Sequence, residues 1–415
     1  MDATPRRDAF SVLTSSAKRK RPSTQDAGQA SSFRTCPVCE LAVPRALLQN
    51  HAENCKGAVA SGVGLSSTSA GKAKVTVELQ TNVPGSEADL AQLTASSSAP
   101  STFKGSPSLL KSALQKNVRL CRAAPAVRCA LQLMKANPAD FLRRVSIICL
   151  EDALLHPDMP LLVWLMCAQT KGYALGCTAA SACLRIVHQL ASVPVRDAYP
   201  IQIDAPSDSE AGSQVNISAK EELMVRCILI RAAYGGMAGD VTMLKTFAAT
   251  WKFRFFRGHA CPHALPSGHH EVANANKDKQ LALDPRHTWH SYIQETYSRL
   301  GMPPGGVLAV AKSPLRRGDI PLSAVDFHIS SIVEELMQVP SILAAAKSLE
   351  AQTDMNDSLR RAMWLFRSGL NSKTQVSTGS RLVGSHERKT LQPLWQAAHA
   401  AADAWSADYI RQRFG

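Results

Sequence analysis

The chain has 415 residues, with 47 Lys+Arg against 33 Asp+Glu, a formal charge of +14 and a pI near 9.4. That length allows two or three domains of roughly 100–200 residues, and a positive excess of this size favours an acidic partner such as nucleic acid. The longest strongly apolar run, Leu161–Ala168, has eight residues against the roughly 20 a membrane-spanning helix needs, so neither a membrane protein nor a membrane partner is expected.

Residues 1–33 are polar and read as a disordered basic tail. They hold no apolar core of a secretory signal. Lys18-Arg19-Lys20-Arg21, followed by Pro22, matches a short nuclear import signal; the other readings are a solvated charge run or a nonspecific phosphate-binding arm. Eleven cysteines are an odd number, and most fall in apolar helical stretches. Reduced core thiols are therefore expected rather than a secreted disulfide framework.

Residues 34–56 carry Cys36-x2-Cys39, then His51 and Cys55 in a C-x2-C-x11-H-x3-C pattern. Two thiols in a tight knuckle clasp one side of an ion. His51 and Cys55, at i and i+4, share one helix face and supply the remaining corners of a tetrahedron, so the expected cofactor is Zn(2+). Pro44 suits the first turn of that helix. So small a unit has almost no core, and metal binding must supply its folding energy.

CPVCELAVPRALLQNHAENC resembles the ubiquitin-binding zinc finger of the CCHC kind, found in post-replication repair proteins. The resemblance implies a small ββα module, with ubiquitin or a ubiquitinated protein as partner. By position, Ala52 and Glu53 would be contact residues, with Leu47 and Leu48 as nearby apolar candidates. The family usually has a larger apolar residue at the place of Ala52 and Asp at that of Glu53. Nucleic-acid binding by the finger is the competing reading, against which Glu40 and Glu53 argue.

Residues 57–107 are rich in Gly, Ser, Ala and Thr and bury too little apolar surface to offset their ordering entropy, so they read as a flexible linker. Helical periodicity begins beyond them. A helical bundle is expected over 108–202 and a helical domain continuing that body over 213–415, making the chain mainly α with little strand. Leu110, Leu114, Val118 and Cys121 recur at three- and four-residue steps, as do Phe141, Val145, Ile148 and Leu155. Helices follow at Leu161–Lys171 and Thr178–Ala191. Asp204–Gly212 is a polar loop. Ser218 and Glu221 are spaced as a capping box, with Gly235-Gly236 as the stop. Further helices are expected near Ser323–Gln338, Asp357–Gly369 and Leu391–Arg413.

Residues 111–191, with Arg143-Arg144-Val145 followed by Glu151-Asp152 and a Pro-interrupted loop, resemble the helical region after the ATPase core in MgsA and Werner-helicase-interacting AAA+ proteins. In that group the region drives oligomerisation, which makes a homo-oligomer, built around Val145, Ile148, Leu155, Trp164 and Leu165, an expectation here. The eukaryotic members also begin with a ubiquitin-binding finger. The chain holds no G-x-x-x-x-G-K-[ST] loop to cradle phosphates, so ATP hydrolysis is not implied. Arg143, Arg144, Glu151 and Asp152 read as a structural ion network.

Trp251–Arg257 alternates aromatic and basic residues. As a strand it would present Trp251, Phe253 and Phe255 on one face. Exposed, that face stacks bases; buried, which is the preferred reading, the segment is a core strand or helix, with Lys252, Arg254 and Arg257 as a phosphate-facing edge. Arg316 and Arg317 join these three as nucleic-acid candidates. His259, Cys261, His263, His269 and His270 have the residue types, but not the spacing, of a second metal site. Asp326 and His328, with Glu334 and Glu335 beyond, are the weak catalytic candidates, through a shared metal or acid/base task. Trp364, Arg367, Ser368, Gly369 and Asn371 form a polar-aromatic cluster expected beside them. Together these readings describe a nuclear adaptor for DNA repair that docks on DNA or repair proteins. The alternatives are a metal-dependent nuclease and a nucleic-acid-binding zinc protein with no ubiquitin role.

Overall fold

The computed structural model describes residues 33–35, 42–44, 103–197, 217–257, 288–326, 330–349, 354–376 and 384–414. The four zinc-ligand candidates Cys36, Cys39, His51 and Cys55 lie outside these residues. So do Leu47, Leu48, Ala52, Glu53, the Lys18–Arg21 cluster, the histidines of 258–287 and His328. Near the N-terminus, β1 (Phe33–Thr35) pairs antiparallel with β2 (Ala42–Pro44), Thr35 opposite Ala42.

The body is built from helices. α1 (Pro107–Arg119) starts with Pro107 in its first turn and Ser106 as cap. α2 (Ala123–Ala136) follows after a three-residue reversal in which Cys121 takes φ 55°. This ends the apolar stripe of α1 at Val118, and Cys121 is exposed rather than core. Asn137 caps α3 (Pro138–Glu151) through the Asp140 amide. α4 (Met159–Gln169) is apolar nearly all round, as a helix enclosed by others must be. α5 (Cys177–Ser192) leads to β3 (Val195–Arg196). The Ser218–Glu221 capping box opens α6 (Ala219–Ala233), and Gly235 and Gly236, both at positive φ, close it. α7 (Ala238–Arg257), α8 (Trp289–Ser298) and α9 (Gly306–Lys312) come next. Two 3-10 turns (Arg317–Asp319 and Leu322–Ala324) precede α10 (Ser330–Met337), α11 (Pro340–Lys347), α12 (Met355–Arg367), β4 (Thr374–Gln375) and the long α13 (Ser385–Arg411).

α1 packs on α2, α2 on α5 and α9, α6 on α7, and α12 on α13. The early and late halves share one core, in which Leu114, Phe141, Ile148, Leu154 and Val333 are essentially inaccessible. Long-range ties fasten the halves. β3 and β4 pair in parallel, Lys373 Nζ donates to Leu190 O at 2.7 Å, and Asn117 Nδ2 donates to Asp319 O at 2.8 Å. The seven described cysteines are free thiols, and burial pushes Cys129, Cys149 and Cys183 up to about 12.

Several expectations need correction. The linker does not reach residue 107: Phe103 packs on Phe414, and Lys104 N donates to Arg413 O at 2.7 Å, which anchors the chain before α1. Of the strand and helix readings open for Trp251–Arg257, the helix is the one the structure takes. Trp251 and Phe255, at i and i+4, are buried together, and Trp251 meets Trp289 edge-on. Val145, Ile148, Leu155 and Leu165 are core residues, and only Trp164 of the oligomer set is partly open. They therefore offer no docking surface. Ser323 lies in a 3-10 turn, not a helix, because Arg367 takes the carbonyls of Leu322 and Val325.

Candidate functional site

Three helix faces and two turns enclose a cavity of about 640 Å³. α1 contributes Lys111, Gln115, Lys116 and Arg119, which recur at three- and four-residue steps and so share one face, opposite Leu110, Leu114 and Val118. α3 contributes Asp140, Arg143, Arg144, Ile147 and Glu151 with the same spacing, and α12 contributes Arg360, Met363, Trp364 and Arg367. Arg231 on α6, Gly236, Met237 and Asp240, Ser323–Asp326, Ile332 on α10 and Tyr409 on α13 also line it.

The floor is a neutralised network. Arg119, 4% exposed, pairs with Glu151 at 2.8 Å and with Asp152. Gln115 Nε2 donates to Glu151 at 3.0 Å and to Asp152 at 2.7 Å, and accepts from Arg144 Nη2 at Oε1. Burial first, and then the neighbouring Asp152, push the Glu151 carboxyl up. Arg367 is equally occupied, by Asp403 at 3.2 Å, Ser406 Oγ at 2.7 Å and the two turn carbonyls.

The rest of the wall is not neutralised. Lys116, Arg143, Arg144, Arg231 and Arg360 line the cavity and make no ion pair among the described residues. Arg231 donates only to the carbonyls of Arg143 (3.1 Å) and Gly235 (2.9 Å), and Arg143 donates to Tyr234 O at 3.3 Å. The buried Arg144 Nε has no partner. Lys116 keeps part of its side chain open, yet protein crowds its ammonium; burial, and then Arg119, lower it from 10.5 to about 8. Burial and Arg143 lower Arg231 too. Trp364, at 40% exposure, stands one turn from Arg360 and has no ring or hydrogen-bond partner among the described residues. Elsewhere in the body, two half-buried arginines are paired with carboxylates. Arg128 meets Asp319 at 2.6 Å, and Arg254 meets Asp197 at 2.6 and 3.0 Å. The lining as a whole holds eight Lys and Arg side chains against the four carboxyls of Asp140, Glu151, Asp240 and Asp326, an excess of positive charge in a concave, partly dry space.

The sequence-derived nucleic-acid set does not form this site. Arg254 is spent on Asp197 and on the faces of Trp251 and Trp289. Lys252 is exposed on α7, while Arg316 and Arg317 are exposed at a 3-10 turn that packs on α2, where Arg317 and Arg122 line a second hollow of about 460 Å³. Arg257 ends α7. Of the catalytic candidates, Asp326 lines the cavity with Trp364, Arg367 and Ser368, as the expected neighbourhood required. Glu334 and Glu335 are exposed on α10 outside its wall, and Glu335 accepts from Trp405 Nε1 at 3.1 Å. Among the described residues no three His, Cys, Asp or Glu side chains are placed to share a metal ion. Arg143 and Arg144 do sit beside Glu151 and Asp152, but Arg119 is the residue that pairs with both acids. Lys116, Arg231 and Arg360 were not singled out in sequence, because a polar helix face reads as solvated until a second element covers it. No helix of the described residues is long and apolar enough to cross a membrane. No family model, no curated protein and no solved structure matches the chain.

Proposed function

We infer that the chain is an adaptor of DNA repair or damage tolerance, in which an N-terminal zinc finger reads ubiquitin and the helical body holds nucleic-acid phosphate in the cationic cavity. The observation that carries the second half is the set of cations without carboxylate partners: Lys116, Arg143, Arg144, Arg231 and Arg360. The first half rests on the C-x2-C-x11-H-x3-C spacing and its resemblance. It is supported by the antiparallel β1–β2 pair, whose strands flank Cys36 and Cys39 in sequence. Two thiolates and an imidazole with a third thiolate suit zinc, which when bound supplies the folding energy of the finger. Lys18–Arg21 would deliver the protein to the nucleus. A finger of modest affinity gains from the tether, because one engaged module raises the local concentration of the other.

The test uses the full-length chain and a labelled single-stranded oligonucleotide in a salt series. Log affinity should fall linearly with log salt as phosphate counterions are released. Lys116→Met and Arg360→Gln should each weaken binding about tenfold, whereas Lys252→Gln, on α7 away from the cavity, should change it little. Affinity indifferent to salt, or to both cavity substitutions, overturns the assignment.

A further inference from the structure

The cavity is small. About 640 Å³ lies within the roughly 300–1,000 Å³ of small-ligand pockets, whereas a specific duplex interface needs on the order of 1,000 Å² or more of protein surface. Its cations converge from α1, α3, α6 and α12 rather than tracking along a groove. A phosphodiester carries one negative charge; a terminal phosphate monoester carries about −1.5 to −2 at pH 7 and offers three acceptor oxygens. Several donors around one small space suit the monoester better. The unpartnered ring of Trp364 lies in the same wall, one turn from Arg360. An exposed indole beside a phosphate site matches the flat face of a base, which stacks on aromatic rings whatever its identity.

We propose that the cavity binds one terminal nucleotide, with its phosphate monoester held by Lys116, Arg143, Arg144 and Arg360 and its base against Trp364. The proposal rests on the reading of the cavity as a phosphate site and narrows it from backbone to terminus. Two sources carry the same chemistry, the end of a single strand and a free nucleotide. The neighbouring carboxyls do not cancel the site: Asp140 is held by Lys111, Glu151 and Asp152 are held by Arg119 and Gln115, and although Asp240 and Asp326 act on Arg231 and Lys116, the lining still has eight Lys and Arg side chains against four carboxyls.

The experiment compares tetrathymidylate carrying a 5′ or a 3′ phosphate with the same oligonucleotide ending in hydroxyls, bound to the full-length protein at fixed salt. Either phosphorylated form should bind about tenfold tighter than the hydroxyl form, with quenching of tryptophan fluorescence. Trp364→Leu should remove most of that quenching and weaken all oligonucleotides. Lys116→Met and Arg360→Gln should each erase the phosphate preference while the melting curve stays cooperative. Competition by thymidine monophosphate at concentrations near those of the oligonucleotide assigns free nucleotide as the source; competition only by the phosphorylated strand assigns the strand end. Equal binding of hydroxyl and phosphorylated forms, still lost in Lys116→Met, overturns the terminal-nucleotide proposal and leaves the phosphate cavity standing. Inorganic phosphate competing as well as the nucleotide overturns the role of Trp364 and the base. Binding untouched by every cavity variant overturns both readings together.

Discussion

Lys116→Met should make the protein more stable and a poorer ligand-binder at once. In the folded chain Lys116 loses its proton near pH 8; in the unfolded chain it does so near 10.5. Between those values the unfolded state binds more protons, so stability rises with pH across that window. Below it the ammonium is held charged where burial disfavours the charge. At about 1.4 kcal/mol for each tenfold change in proton affinity, the upper bound on that penalty is about 3.5 kcal/mol. Part of the side chain still meets water, which reduces the expected figure to about 1–2 kcal/mol. Methionine keeps the helical propensity and the stem and removes the charge. Urea unfolding at pH 7 should therefore show a higher midpoint with an unchanged slope. A pH series separates this from better packing. Lys373, 4% exposed and also lowered to about 8 by burial, shares the window and remains in the variant. The rise of stability between pH 8 and 10 should consequently shrink without vanishing. A variant less stable than the parent at pH 7, or one with the full pH rise intact, refutes the claim that Lys116 is a strained cation. A phosphate ligand would hold Lys116 in its charged form, so ligand affinity should weaken above about pH 8.

Asp319→Ala should behave oppositely. Arg128 makes two bonds to that carboxylate, at 2.6 and 2.9 Å, the Arg316 amide adds a third at 2.7 Å, and the pair is nearly dry. Removing one partner of such a pair costs about 3–5 kcal/mol, read as a fall in the urea midpoint; a loss under about 1 kcal/mol would show the pair to be solvated. In the finger, metal analysis of the full-length chain should find one zinc per protein, lost in a Cys36→Ser and Cys55→Ser double variant. Zinc retained by that variant would remove these residues as ligands.

The legible part of the fold was what neighbouring residues decide. The capping box at Ser218 and Glu221 placed the start of α6, and the apolar steps of α5 placed it to within a residue at each end. Misreadings arose where a distant partner outvoted the local pattern. Trp251–Phe255 alternates with period two, which leaves strand and helix both open; burying Trp251 against Trp289 together with Phe255 one helical turn on decides for the helix. Around Ser323 the turn holds because Arg367, more than forty residues later, satisfies its carbonyls.

The cavity was invisible in sequence for the same reason, and that is also what identifies it now. A run of basic residues does not say which will be neutralised, since the neutralising carboxylate is remote. Asp152 stands 33 residues from Arg119, Asp197 57 from Arg254, and Asp319 191 from Arg128. Once the chain is folded, Arg119, Arg128, Arg254 and Arg367 each meet a carboxylate that chain topology brings to them. Lys116, Arg143, Arg144, Arg231 and Arg360 face one cavity with no such ion pair among the described residues, and burial disfavours the charge of Lys116 and Arg231. On the reading proposed above, an anion from outside the chain would answer this excess of positive charge. In that proposal the size of the space and the indole of Trp364 beside it favour a phosphate joined to a flat base.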